Sequence, residues 1–149
     1  MRAVIQRVLQ ASVQVDGETV ASIGRGIMVL AGLHESDTEQ DMDYVIGKLL
    51  GVRIFNDAGG VMNLSVADTG GEILLVSQFT LYGDARKGKR PSYSSAMKPE
   101  IAREAFDTFV ARCRALHERT KSGVFGADMK VTLLNDGPVT ILIDSARAF

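Results

Sequence analysis

An α+β fold is predicted for this chain: one domain over residues 1–149, with a mostly antiparallel, barrel-like sheet and two main helices. Three features predict it. β-rich runs recur from one end of the chain to the other, broken by turn residues such as Asp16-Gly17. Only two segments, over residues 42–50 and 102–116, carry apolar residues at helical spacing. No internal repeat, linker or low-complexity stretch divides the chain, and 46% hydrophobic with 23% charged residues suits a packed core.

Residues 2–9 and 12–16 are β-rich and are expected to pair as consecutive strands. Asp16-Gly17 then turns the chain into a strand over residues 19–22. Residues 26–33 form a nearly unbroken apolar run, short enough for a buried central strand. Ser36-Asp37-Thr38 has helix-cap composition, and Met42, Val45, Ile46, Leu49 and Leu50 then mark one helical face. Glu35, Asp37, Glu39, Asp41 and Asp43 crowd that helix start, where negative charge meets the positive end of the helix dipole. Residues 52–55 read as a short strand, 56–60 as a loop, and 72–82 as a long β run.

The second helix opens at Pro99, where a missing N–H costs nothing. Ala102, Ala105, Phe106, Phe109, Val110, Cys113 and Leu116 form its apolar stripe, and Ser122-Gly123 is a candidate stop. Residues 130–134 and 139–143 finish the chain as two strands around an Asn-Asp-Gly-Pro turn.

The formal net charge of -1 excludes a global attraction to polyanions, so any nucleic-acid contact must be a local patch. The single cysteine, Cys113, rules out an intramolecular disulfide and points to a reducing, cytoplasmic setting. The N-terminus lacks signal-peptide character, and no apolar stretch approaches the roughly 18 residues of a membrane helix. The two histidines, His34 and His117, have no zinc-motif spacing, and Gly24-Arg25-Gly26 lacks the rest of a nucleotide-binding pattern. Neither a metal nor a cofactor is expected.

Two segments carry chemistry that a packed core does not require. Ser77, Gln78, Phe79 and Thr80 end the 72–82 run in hydroxyl and amide groups. They are either a strand end whose hydroxyls satisfy nearby backbone, or donors that hold a developing oxyanion. Thr80 is a candidate nucleophile, but no base accompanies it in the sequence. The loop after it holds Arg86, Lys87, Lys89 and Arg90 against Asp84, then Tyr93. Solvated charge and a phosphate-contacting loop beside a stacking aromatic both fit that composition. Asn135-Asp136-Gly137-Pro138-Val139-Thr140 is the second segment. Proline removes a ladder hydrogen bond and glycine weakens a strand, so the pair marks either a plain turn or a main-chain feature with a purpose.

Ser77 through Asp84 together with Asn135 through Thr140 closely resembles the D-aminoacyl-tRNA deacylase family. The opening Met1-Arg2-Ala3-Val4-Ile5-Gln6-Arg7-Val8 and the Lys87-Gly88-Lys89-Arg90-Pro91-Ser92 loop are similar to the same family, over essentially the full length. Tyr93 departs from an expected phenylalanine but keeps the ring. The resemblance implies a homodimer that hydrolyses the ester between a D-amino acid and the 3′-terminal ribose of tRNA. It implies a cis Gly137-Pro138 peptide that enters the partner's active site and excludes L side chains, with glycyl-tRNA leaking through. It further implies a bracing role for Arg7, oxyanion donation by the Phe79 and Thr80 N–H groups, and an adenine-side position for Phe125 and Met129, which core packing would also explain. For Thr80 it leaves attack by the hydroxyl or activation of water by the tRNA 2′-OH; the missing base favours the second. The rival reading is a nucleic-acid-binding module without catalysis, resting on residues 86–90.

Overall fold

The computed structural model describes residues 1–148. Its first strand, β1 (Arg2–Val15), is continuous where two paired strands were expected. No turn residue interrupts it. The reason for the double signal lies in its register against the last strand, β8 (Met129–Asp144): Val8 pairs with Asn135 but Gln10 pairs with Leu134, so Leu9 is an extra residue. This bulge turns the strand over. Before it, the odd-numbered Ala3 and Ile5 pack under the helices; after it, the odd-numbered Ala11 and Val13 pack inside the curl of the sheet. The apolar phase changes in mid-strand.

Asp16 and Gly17 both take positive φ, 51° and 82°, and join β1 to β2 (Glu18–Ile23) in the expected two-residue hairpin. β3 (Gly26–Gly32) pairs with the first half of β1, and β8 runs along the other edge of β1. Helix α1 (Glu39–Gly51) follows, with Met42, Val45, Ile46 and Leu49 buried as the spacing predicts. The Asp41 carboxylate accepts from both the N–H and the hydroxyl of Thr38 at 2.8 Å. Those bonds, the backbone N–H first, pull its pKa down to about 2.

The expected strand over 52–55 is displaced. Val52 still closes α1, and pairing starts only at β4 (Phe55–Asn56), which forms a separate two-stranded ladder with β5 (Met62–Leu64). A short helix, α2 (Val66–Thr69), leads into β6 (Glu72–Ser77). Ile73 and Leu75 face the helices while Leu74 and Val76 face the inner cluster with Val8, Val13 and Met28, so the whole run is apolar. β6 stops at Ser77, and residues 79–82 of the expected strand form a 3₁₀ turn instead.

Helix α3 (Pro99–Leu116) buries Ala102, Phe106, Phe109, Val110 and Cys113, but Leu116 is exposed. It ends at His117, whose Nε2 donates to the Gly71 carbonyl at 2.8 Å. Ser122, expected to stop this helix, lies in β7 (Thr120–Ser122). Arg112 of α3 binds Glu39 and Asp43 of α1, joining the two helices.

The class is α+β as predicted, but the six-stranded sheet is mixed. β1 pairs antiparallel with β2, β3 and β8, whereas β6 lies parallel to β3 and to β7. The cause is connectivity: the chain between β3 and β6 carries α1, and that between β6 and β7 carries α3. Such crossovers return a strand in the same direction. Residues 130–134 and 139–143 are not a hairpin; both belong to β8 and both pair with β1. No helix among the described residues is long and apolar enough to cross a membrane.

Candidate active site

Where β6 ends, a pocket of about 730 Å³ opens between the sheet and the start of α3. Ser77, Gln78, Phe79, Tyr93, Lys98, Phe125 and Met129 line it, above an apolar floor that includes Leu33, Val76 and Phe106. The chain leaves β6 with one last sheet bond, Gln78 N–H to Ala31 O at 2.8 Å, and then tightens. The first turn bond is Leu81 N–H to Gln78 O at 3.2 Å. A 3₁₀ turn bonds i to i+3, so its leading N–H groups have no partner inside the turn. Those groups belong to Phe79 and Thr80, and no acceptor among the described residues reaches either one.

Because the strand breaks here, Ser77, Gln78, Phe79 and Thr80 do not alternate between two faces as strand residues do. Gln78 donates through Nε2 to the Thr80 hydroxyl oxygen at 2.5 Å. An amide is no base, and no carboxylate, imidazole or amine among the described residues hydrogen-bonds that hydroxyl. Phe79 is 58% exposed and meets Tyr93 edge-on, with centroids 5.2 Å apart. Tyr93 in turn packs on Gly83, where an added Cβ would stand 2.9 Å from the ring and 3.0 Å from Thr80 O. Only glycine admits so close an approach.

Backbone bonds between Asp84 and Ser92, at 2.8 and 2.9 Å, close the basic loop. Asp84 holds Arg86 through Nε at 2.9 Å and Nη2 at 2.7 Å, and this pairing lowers the Asp84 pKa to about 2. Arg86 is thus neutralised locally and lines a different cavity, about 760 Å³, with Arg2, Tyr82 and Asp144. Lys87, Lys89 and Arg90 are exposed and form no ion pair among the described residues.

Phe125 and Met129 line the pocket and pack on the cores as well. Phe125 lies 5.9 Å from Phe106 and beneath the Arg103 guanidinium at 5.2 Å. Met129 packs beside the inner cluster.

Gly137-Pro138 is cis. It stands in a detour of β8: Asn135 pairs with Val8 and Thr140 with Gln6, so residues 136–139 face Arg7 alone. Arg7 is buried and donates to Asp136 O at 2.9 Å and to Ile54 O at 2.5 Å. Its Nε also lies 3.1 Å from the Asp136 carboxylate. Within one chain this detour is far from the Ser77 end of β6. Ser77 aligns with Ala31 and Ala31 with Ala3, so the two sites lie four residues apart along β1 and three strands apart across the sheet. Ordinary sheet spacing makes that roughly 13 Å by 14 Å.

The sequence-predicted residues therefore fall into three groups. Ser77, Gln78, Phe79, Phe125 and Met129 share the pocket, with Thr80 on its turn; Arg7, Gly137 and Pro138 form a second unit; Arg86, Lys87, Lys89 and Arg90 sit on the loop between Asp84 and Ser92, Arg86 tied to Asp84. Met97 and Lys98 of the pocket wall were missed, although they directly precede Pro99 at the helix start. The Ile54 carbonyl had no sequence signal, because every residue carries one.

A family profile described as D-Tyr-tRNA(Tyr) deacylase matches residues 4–144. The chain belongs to this family. It is 56% identical over 149 residues to a D-aminoacyl-tRNA deacylase of Desulfitobacterium hafniense (strain DSM 10664 / DCB-2), covering 100% of both chains. To the D-aminoacyl-tRNA deacylase of Thermosipho africanus (strain TCF52B) it is 51% identical over 149 residues, again covering 100% of both. Among solved structures, one described as c-Myc DNA Unwinding Element Binding Protein matches with TM-score 0.93 and 44% identity, over 97% of this chain and 98% of that one. A probable eukaryotic D-amino acid tRNA deacylase matches with TM-score 0.83 at 20% identity, over 95% and 97% of the two chains. That last likeness concerns the family's fold.

Proposed function

We propose that this protein hydrolyses the ester between a D-amino acid and the 3′-terminal ribose of tRNA, releasing free D-amino acid and tRNA. The observation that carries the reading is the 3₁₀ turn at the pocket, with the Phe79 and Thr80 N–H groups free of any acceptor among the described residues. Water attacks the ester carbonyl, its oxygen becomes an oxyanion facing those donors, and the ribose oxygen leaves with a proton. Preorganised main-chain donors of this kind stabilise charge where it develops. The Thr80 hydroxyl is tied to an amide rather than a base, which favours activation of water by the neighbouring tRNA 2′-OH over a covalent acyl-enzyme. Ser77 and Gln78 shape the turn. Phe125 and Met129 receive the terminal adenosine, and Lys87, Lys89 and Arg90, with Arg86 tied to Asp84, face the tRNA phosphates.

Gly137-Pro138 acts in the site of a second copy of the chain, so the enzyme is a homodimer. The distance of this segment from the pocket within one chain supports that arrangement. Main-chain atoms pressed against the substrate's α-carbon collide with an L side chain and leave a D side chain free. Glycine has nothing to collide, so mischarged glycyl-tRNA is also cleaved. The single free Cys113 suits a cytoplasmic enzyme.

Release of the free amino acid from D-Tyr-tRNA, L-Tyr-tRNA and glycyl-tRNA tests the reading. Cleavage of the D and glycyl esters with sparing of the L ester is expected; equal cleavage of both tyrosyl esters refutes the exclusion mechanism. A second reading, a nucleic-acid-binding module without catalysis, is favoured by the 44%-identical structural neighbour, which is described as a DNA unwinding element binding protein. Tight nucleic-acid binding with no release of D-tyrosine would establish it instead.

A further inference from the structure

We propose that Asn135 is a positioning residue for stereochemical selection: its side-chain amide ties together the two ends of the detour that carries Gly137-Pro138. The inference rests on the reading of that segment as the barrier to L substrates.

The detour has an accounting problem. Between the pairs Val8–Asn135 and Gln6–Thr140, four residues of β8 face one residue of β1, so the regular ladder is interrupted. Gly137 and Pro138 are exposed, so packing does not hold them, and Pro138 has no N–H to donate. Something other than burial must fix their main chain. The Val139 side chain anchors the exit in the core, at 7% exposure, and the Arg7 guanidinium holds the entry through Asp136 O.

Asn135 closes the gap between them. Its Nδ2 donates to the Arg7 carbonyl at 2.8 Å and to the Val139 carbonyl at 3.4 Å. One NH₂ group thus ties the partner strand and the far end of the detour to the residue where it begins. Its Oδ1 fills the place that a side chain at residue 137 would take, since an added Cβ would stand only 2.6 Å away. An oxygen at the tip of a side chain can normally swing aside. Here it can do so only by giving up both amide bonds. The same side chain therefore holds the segment and demands glycine at its centre. An aspartate of the same size would instead set a carboxylate against two carbonyl oxygens.

The experiment compares kcat/KM on D-Tyr-tRNA and L-Tyr-tRNA for the full-length protein and for Asn135→Asp. The D-over-L ratio is expected to fall by about tenfold, the scale of a lost hydrogen-bonding pair, with the far-UV spectrum unchanged. An unchanged ratio in a folded variant overturns the proposal, because a residue needed only for folding would leave selectivity intact. If the unsubstituted enzyme itself shows no preference, the barrier reading fails, and a second measurement decides the role of Asn135. That measurement is a melting cycle of Gly137→Ala, Asn135→Ala and the double variant. Gly137→Ala should lower Tm more when Asn135 is present than when it is absent; additive shifts overturn the proposal, and they also decide it if Asn135→Asp fails to fold.

Discussion

Thr80→Ala separates the two ways in which the ester could be cleaved. The structure sets the scale of its effect. The Thr80 hydroxyl accepts one hydrogen bond, from Gln78 Nε2 at 2.5 Å, on an exposed turn. A neutral hydrogen bond contributes a net of about 0.5–1.5 kcal/mol, so its loss should lower kcat/KM by about two- to tenfold through a looser turn. The Phe79 and Thr80 N–H groups survive the substitution. Removing a covalent nucleophile has a different scale, on the order of 10⁶-fold in kcat for a serine hydrolase. The assay is single-turnover release of D-tyrosine from D-Tyr-tRNA, with acid quenching and mass measurement of the protein to detect any acyl-enzyme. A loss beyond about 10³-fold, with melting temperature and tRNA binding intact, would refute the main-chain mechanism and restore Thr80 as nucleophile.

Three further outcomes are expected. Arg7→Ala should destabilise the fold by about 2–4 kcal/mol in chemical denaturation, because it leaves two carbonyls and the Asp136 carboxylate without their charged donor; an unshifted midpoint would show that the buried guanidinium braces nothing. Replacing Lys87, Lys89 and Arg90 together with alanine should raise KM for charged tRNA and flatten the dependence of log K on log salt by about 2 to 3. Arg86→Ala should do much less, being already paired with Asp84, and equal effects would remove the distinction between paired and free cations. Asp41, lowered from 3.8 to about 2, stabilises α1 fully above the ordinary carboxylate range, and that contribution is lost as pH falls from about 4 through about 2. Asp41→Asn should cost about 1 kcal/mol at pH 7 and flatten that part of the acid limb of Tm against pH.

Helices α1 and α3 were legible in the sequence because a 3.6-residue period over 13 and 18 residues is a long, redundant signal, whereas the four-residue α2 is too short to show one. The Asp16-Gly17 hairpin was legible because only a few residues accept positive φ twice in succession. Strand ends were less so. Hydrophobic character persists through Phe79, Leu81 and Tyr82, and nothing in it distinguishes a strand from a 3₁₀ turn, which buries Tyr82 but exposes Phe79. The Leu9 bulge changed the apolar phase of β1 and so imitated a gap between two strands. Asn-Asp-Gly-Pro carries turn chemistry, yet β8 continues past it, because the choice between a reversal and a detour is made by β1, more than a hundred residues away in the chain. The identities of the pocket residues were visible as out-of-place polar groups at the end of an apolar run. Their grouping with Phe125 and Met129 depended on parallel crossovers that no local pattern encodes.

The interrupted stretch of β8 is fastened on both sides by ordinary pairing, Asn135 to Val8 and Thr140 to Gln6. Within it, the exposed Gly137 and Pro138 form an interchangeable tip that can be rewritten while the flanking ladder, the Arg7–Asp136 contact and the buried Val139 keep the rest of the molecule in place. Under the barrier role proposed above, replacing residues 137 and 138 would give a family of proteins with one scaffold and graded tolerance of mirror-image substrates.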